Sequence, residues 1–398
     1  MRTNENILVV NAGSSSIKFA VFTSSLVRQI SGELDGIGAT PHLSARNANG
    51  DKLADRDFHT GEVSVHYLLA ETVAWIESHL GPGSLIAIGH RVATGGLSHS
   101  SPAIVTPSVL EKLQTLIPLA PLHQPRNLEP IEILAKLHPG QPQVACFDSA
   151  FHSTMPRIAR LYGLPRSLTE SGAQRFGYHG LSYEFIASRL PDLDPKAAAG
   201  RTVVAHLGSG SSMCALSSGK SIATTMGFSP LSGLVMGTRP GELDAGLLIW
   251  MMREKGWSAS DVENLLYNES GLKGVSGISS DMRVLLESQD DQAREAVELF
   301  VHRISLELGS LAAALGGLDA LVFTGGIGEH AAAIRKAVCD RSTWLGIHID
   351  AESNEHSSER ISTQESRVSV WAVPTDEERM VATHTIQLVS PRGDPKRQ

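Results

Sequence analysis

Two arginines stand in glycine-flanked loops, Arg91 in "GHRVATGG" and Arg239 in "VMGTRPGELD". A lone arginine in such a loop is commonly a solvated surface residue. Two in matching contexts suit a pair of guanidiniums converging on a phosphoryl group in transfer. Asp148, in "VACFDSAFH", follows a short apolar run that reads as a strand, and α/β proteins collect ligand groups at such strand ends. Its alternative duty is to cap a helix. His179, in "FGYHGLSYEF", is placed either to project into a cleft or to bond the backbone.

Two further stretches, "VVNAGSSS" (9–16) and "VAHLGSGSS" (204–212), each break an apolar run with Gly, Ser or Asn. Such a turn lets backbone N–H groups and hydroxyls converge on phosphate oxygens with no bulky side chain in the way, although tight hairpins use the same residues. An offset of 195 residues places Val9 on Val204, Gly13 on Gly208, Ser14 on Ser209, Ser16 on Ser211 and Ala20 on Ala215. Both copies fall at the same point of a strand–loop–strand unit, which indicates a duplicated domain with one phosphate loop in each copy. "SSGKS" (217–221) ends like a P-loop but has Cys214 where that motif needs glycine. "GGIGEHAA" (325–332) fits GxGxxA with Asp350 downstream, a dinucleotide pattern that leaves both serine loops and both arginines without a task. In "VPTDEERM", Thr375 and Glu378 read as the capping box of a last helix. That leaves Asp376 or Glu377 to hold the water shell of a hard cation.

These groups need elements to position them. The 398 residues are 41% hydrophobic and 19% charged, enough for two well-filled α/β domains. Strands are expected at 6–10, 17–22, 84–89, 143–147, "TVVAHLG", "ALVFTGG" and 368–373. Helices are expected at 63–80, in two pieces within 107–138, at 181–190, 292–316, from 329 and from 375. Residues 30–60 read as irregular strands and loops, and "GLLIWMM" (246–252) has the length of a core segment. The net charge of −8 offers no general attraction for nucleic acid or an anionic membrane. Cys146, Cys214 and Cys339 lack CxxC spacing, so they read as reduced buried thiols of a cytoplasmic protein. No secretory or membrane-spanning segment is expected.

With these pieces in order, from "ILVVNAGSSSIKF" through "APLHQPRNL", "AHLGSGSS", "SSDMR" and "FTGGIGEH" to "PTDEE", the chain resembles the acetate kinase family. That family belongs to the superfamily of sugar kinases, actin and heat-shock chaperones. The resemblance implies two duplicated ribonuclease-H-like domains, an actin-like ATPase fold, with the active site in the cleft between them. The expected division is residues 1–150 plus a C-terminal helix at about 378–398, and a nucleotide-binding domain at 151–377.

It also implies a homodimer, Mg²⁺ (or Mn²⁺), and in-line, reversible transfer of the ATP γ-phosphoryl group to acetate, with propionate or another short-chain acid as the alternative acceptor. On matching positions, Asn11 and Glu377 would serve the metal and Lys18 the nucleotide phosphates. Arg91 would bind the acid, Asp148 would be the catalytic carboxylate, and His179 and Arg239 would stabilise the transition state. ATP would lie against His206, Leu207, Gly208, Ser209 and Gly210, against Asp281, Met282 and Arg283, and against Gly326, Ile327, Gly328, Glu329 and His330. Ala93, Leu122, Tyr178 and Pro230 would form the pocket for the acid's methyl group. The chain departs from the common pattern at Ser209 and Asp376, each for Asn, at Tyr178 and Met282, each for Phe, and at Ala93 for Val. The last widens the pocket toward propionate. A sugar kinase of the same superfamily would instead need polar groups around Asp148, and a nucleotide switch would not need the two arginines.

Overall fold

The computed structural model describes residues 5–13, 16–58, 64–81, 83–121, 123–357 and 359–390. The chain divides into two units, Met1–Ala150 with Asp376–Gln398, and Phe151–Thr375.

The first unit is built on an eight-stranded sheet in the order β5-β4-β3-β2-β1-β6-β8-β7. Its strands are β1 Asn6–Ala12, β2 Ile17–Thr23, β3 Arg28–Asp35, β4 His42–Asn47, β5 Lys52–Asp57, β6 Leu85–Val92, β7 Ala103–Ile104 and β8 Gln143–Phe147. β1, β6 and β8 run parallel, while β1 to β5 form antiparallel neighbours. Helix α1 (Val65–Leu80) buries Leu68, Leu69, Val73 and Ile76, a helical stripe that packs with Leu8, Val10 and Phe19 of the sheet. Ser64 caps it by accepting from the Tyr67 N–H. Helix α2 (Gln124–Leu137) carries Pro125 in its first turn, as expected of a residue with no N–H to satisfy there.

The chain's last helix, Glu377–Val389, packs on β1, β6 and β8. Gly89 permits the approach, since a Cβ there would stand 2.6 Å from the Val381 side chain.

The second unit holds a five-stranded sheet in the order β11-β10-β9-β12-β13. These strands are β9 Arg201–Leu207, β10 Ser211–Ser217, β11 Lys220–Thr224, β12 Ala320–Thr324 and β13 Ser369–Ala372. Along β9, Val203, Ala205 and Leu207 face a core shared with the long helix Asp291–Leu315, while Val204 faces Tyr183, Ile186 and Leu190 of helix α3 (Gly180–Leu193). The period-2 alternation therefore buries both faces. The order β11-β10-β9-β12-β13 matches β3-β2-β1-β6-β8 strand for strand, with the same antiparallel and parallel neighbours. The 195-residue echo is a repeat of topology: β1 and β9 occupy equivalent places.

Three expectations are corrected. Residues 30–58 hold more regular structure than expected: β3 pairs with β4 without interruption and β4 with β5 around one irregularity at Ala45/Arg46, with Ile30, Leu34, Leu43 and Ala45 buried along one side; residues 59–60 lie outside the described residues. The apolar positions are too sparse and too interrupted by Gly and Asn to show this alternation in the sequence alone. The helix expected from 329 begins earlier, as Gly325–His330, followed by Ala332–Asp340. Gly325, at φ +76°, turns β12 directly into it, and a Cβ there would meet the Leu207 carbonyl at 2.8 Å. "GLLIWMM" is not core: it lies in helix Ala245–Glu254, none of whose residues is buried.

Candidate active site

In the first unit, the C-terminal ends of the neighbouring parallel strands β1, β6 and β8 bring Asn11, Arg91 and Asp148 together. Arg91 donates from Nη2 to Asp148 Oδ2 at 2.7 Å, from Nε to Oδ1 at 3.3 Å, and from Nη1 to Asn11 Oδ1 at 3.1 Å. Glu377, the first residue of the last helix, places Oε2 3.4 Å from Arg91 Nε. Asp148 is buried, whereas a quarter of the Arg91 side chain (25%) stays exposed. Burial pushes the guanidinium down, but Asp148 and Glu377 outweigh it and hold Arg91 above its ordinary value. It is a permanent cation whose fork is aimed by fixed oxygens.

Lys18 lies across from Asn11 in the β1–β2 register and is exposed. The Ala93 N–H donates to Asn127 Oδ1 at 2.9 Å, and Asn127 Nδ2 donates to the Ala12 carbonyl at 2.8 Å. One buried amide thus ties the loop after β6 to the end of β1. Sequence reasoning missed Asn127; the available signal was a polar side chain on the apolar face of α2, beside Leu128 and Ile131. Leu122 and Ser14 lie outside the described residues.

The start of the last helix differs from expectation. Its cap is Asp376, which accepts from the Arg379 N–H at 3.0 Å and from Arg28 Nη2 at 2.5 Å. Thr375 bonds Ser182 Oγ at 2.9 Å instead of capping. The Thr375–Glu378 capping box is therefore not formed, because the helix begins one residue later than that pattern assumes. Burial, reinforced by Glu377, pushes the Glu378 carboxyl up. Asp376 is occupied by its cap and by Arg28, which leaves Glu377 to face Arg91. Asn11, Asp148 and Glu377 are hard oxygen donors, a set that suits Mg²⁺, which takes few protein ligands and keeps several waters. Among the described residues, no group of three or more His, Cys, Asp and Glu forms a closed metal cage.

In the second unit, β9 runs out at His206 and Leu207 into the loop Gly208–Gly210. Ser211 closes that loop on the Gly208 N–H and carbonyl, at 3.1 and 3.0 Å. The Ser209 carbonyl accepts from the Gly237 N–H at 3.0 Å, which joins this loop to the one carrying Arg239. A Cβ on Gly208 would stand 3.9 Å from Gly326 N, so the two glycine stretches approach each other. Gly325 N–H and Thr375 N–H both donate to Glu329 Oε1, at 2.9 and 3.2 Å. Asp281 caps the helix that starts at Met282, and it is paired at 2.6 Å with the exposed Arg283. Met282 is buried and His330 is exposed; Ile327 packs against the core.

Arg239 donates from Nη1 to the buried Pro230 carbonyl at 2.7 Å and has no carboxylate within ion-pair distance among the described residues. Burial pushes it down to about 10, so it remains charged at neutral pH. A Cβ on Gly210 would meet Arg239 Nη2 at 2.7 Å and His179 Nε2 at 3.2 Å, which puts both side chains on one small patch of loop. His179 holds Nδ1 on Ser212 Oγ at 2.8 Å, and its ring stacks on His206 at 4.3 Å. Buried Tyr178 donates its hydroxyl to the Phe228 carbonyl at 2.9 Å. The arrangement is a guanidinium with no carboxylate partner among the described residues, an imidazole and glycine backbone around one point, a combination chemically able to receive an anion.

The model of the acetokinase family matches residues 6–383. An acetate kinase of Rhodopseudomonas palustris is 53% identical over 96% of this chain and 98% of that relative. An acetate kinase of Nitrobacter hamburgensis is 48% identical over 98% of this chain and 97% of that relative. Among solved structures, a propionate kinase of Francisella tularensis superposes with a TM-score of 0.91 at 34% identity, over 96% of this chain and 99% of that one. An acetate kinase of Porphyromonas gingivalis gives 0.84 at 35%, with the same coverage.

Proposed function

The chain belongs to the acetokinase family, with the duplicated actin-like ATPase fold, and from that premise we propose how its residues divide the work of acetate phosphorylation. It is an ATP-using phosphotransferase with a carboxyl group as acceptor, and in the proposed reaction the γ-phosphoryl group passes, with Mg²⁺, to acetate, giving acetyl phosphate and ADP. The acceptor is already ionised at neutral pH, since carboxyls titrate near pH 4 to 5, so no general base is required. The obstacle is charge: two unit charges about 4 Å apart repel by about 4 kcal/mol at an effective dielectric of 20.

Arg91, aimed by Asp148, Asn11 and Glu377, receives the acid's carboxylate. Arg239 and His179 receive the charge that spreads over the transferring phosphoryl oxygens. The observation that carries this division is the contrast between the arginines: Arg91 is matched by carboxylates, while Arg239 has none among the described residues. Asp148 orients Arg91 and is not needed as a proton acceptor. The loop at His206–Gly210 and the stretches Asp281–Arg283 and Gly326–His330 hold the nucleotide, with Lys18 toward its phosphates. Asn11 and Glu377 would hold Mg²⁺ with its waters, and the ion would supply charge neutralisation on the phosphates.

Among the residues expected to meet the acid's methyl group, the small Ala93 favours propionate as a second acceptor. The exposed Leu247, Ile249, Trp250 and Met252 of helix Ala245–Glu254 support a homodimer that covers them. Three buried free thiols suit a cytoplasmic setting. No helix among the described residues is long and apolar enough to cross a membrane.

The test is incubation with ATP, Mg²⁺ and formate, acetate, propionate or butyrate, with hydroxylamine trapping of the acyl phosphate. Trapped hydroxamate from acetate, with kcat/KM falling toward butyrate, is expected. No trapped product from any of them would refute the acyl-kinase reading.

A further inference from the structure

His179 occupies the N-cap of helix α3 at φ 58° and ψ 24°, a left-handed conformation that is uncommon for a residue with a Cβ. Something must hold the ring there. Its Nδ1 is 2.8 Å from Ser212 Oγ, and Ser212 Oγ is 2.5 Å from the Tyr183 hydroxyl. Ser212 and Tyr183 are both fully buried. Tyr183 lies one helical turn after His179, whose carbonyl accepts the Tyr183 N–H at 3.1 Å. The adjacent Ser182 bonds Nδ1 of the stacked His206 at 2.8 Å. One turn of α3 therefore buttresses both imidazoles on their Nδ1 edges and leaves Nε2 of His179 on the side of Gly210 and Arg239.

We infer that Tyr183, acting through Ser212, is a positioning residue that commits the Nδ1 of His179 to a hydrogen bond and so keeps the proton on Nε2; this rests on the phosphoryl-binding role proposed for His179. The phenol is the stronger acid of the two hydroxyls, so it donates to Ser212. The Ser212 proton then turns to Nδ1. A neutral imidazole so bonded carries its hydrogen on Nε2 and presents a donor to a phosphoryl oxygen. If the ring is protonated, the chain reverses, with Nδ1–H donating to Ser212 and Ser212 to Tyr183, and Nε2 is still a donor. Without the phenol, the neutral tautomer with Nδ1–H donating to Ser212 competes, and it would turn a lone pair on Nε2 toward an anion.

The decisive experiment is a cycle of Tyr183→Phe, His179→Ala and the double variant. Each is read by kcat and both KM values, and ¹⁵N NMR reads the His179 tautomer in Tyr183→Phe. Loss of one buried hydroxyl donor in Tyr183→Phe is expected to lower kcat about tenfold with both KM values held within about twofold. The same change in the His179→Ala background is expected to cost nothing more. Ser212→Ala should reproduce Tyr183→Phe, and Ser212→Thr, which keeps the hydroxyl, should restore activity. If Tyr183→Phe does not fold by circular dichroism, Ser212→Ala carries the same cycle.

An equal loss from Tyr183→Phe with and without His179 would overturn the relay and mark Tyr183 as merely structural. If His179→Ala retains wild-type kcat, the role proposed for His179 falls, and the relay is then judged on the tautomer. An Nε2–H signal in wild type that becomes mixed in Tyr183→Phe supports it, and an unchanged signal refutes it.

Discussion

Replacing Asp148 by Asn separates a positioning carboxylate from a proton acceptor. In the wild-type structure, Asp148 takes two charge-assisted bonds from Arg91, at 2.7 and 3.3 Å, in a buried setting. Asparagine offers one carbonyl oxygen in place of two anionic ones, so one such bond, worth about 1.5–3 kcal/mol, is lost. At about 1.4 kcal/mol per decade, kcat should fall by roughly 10- to 150-fold. Arg91 keeps Asn11 and Glu377 as partners, so it is not released altogether. The sign of the effect on acetate is informative. Asp148 competes with the substrate for the same guanidinium, so removing its charge should leave the acetate KM unchanged or lower. Steady-state kinetics with acetate and ATP varied in turn, repeated from pH 6 to 9, reads both quantities. A kcat unchanged beside a tenfold rise in acetate KM would refute the reasoning. So would a wild-type profile with a group titrating near pH 7 that disappears in Asp148→Asn, since that is the signature of a base.

Arg239→Met should abolish activity, by about 10³-fold or more, while the substrate-free protein melts no lower than wild type. The charged guanidinium is largely desolvated, has no carboxylate within ion-pair distance among the described residues and is held down to about 10, so its desolvation opposes folding at every pH below that value; a lower melting temperature would contradict this. His90 and His152, which burial pushes down to about 4, should make each unit less stable in acid. The unfolded chain binds their protons below about pH 6.5 and the folded one does not until about 4, so the loss develops between those values and reaches about 2 kcal/mol per histidine at pH 5. Urea melts at pH 7 and pH 5 of wild type and His152→Gln should show a smaller difference in the variant. Trp250→Glu, on the exposed helix Ala245–Glu254, should shift a dimer toward monomer in sedimentation velocity, and an unchanged mass would remove that helix from the interface.

The residues at the C-terminal ends of β1, β6, β8 and β9 could be read from sequence because a strand ending on Gly, Ser or a charged side chain is a local pattern. "GLLIWMM" and residues 30–60 were misread for opposite reasons. The apolar run of the first satisfies a core by composition, yet its helix buries none of it fully and leaves only Leu248 and Met251 partly covered by its own chain. The second hides three strands behind residues such as Gly36, Gly38, Asn49 and Gly50, which belong to the turns between them. The capping box failed by one residue, since Thr375 and Asp376 are both good caps and only the Ser182 and Arg28 contacts choose between them.

What the sequence determined by itself is where backbone must come close to a ligand or a neighbour. Gly325, Gly208 and Gly210 are written for that, whatever surrounds them, because a missing Cβ is a property of one residue. It also determined the repeat, since β1 and β9 carry the same strand and loop. The tertiary structure alone decided which charges meet. Arg91 finds Asn11 80 residues before it and Asp148 57 residues after it, and then Glu377 on the last helix, while Arg239 meets no carboxylate among the described residues. Electrostatic energy depends on distance through space and on burial, and neither is a function of separation along the chain.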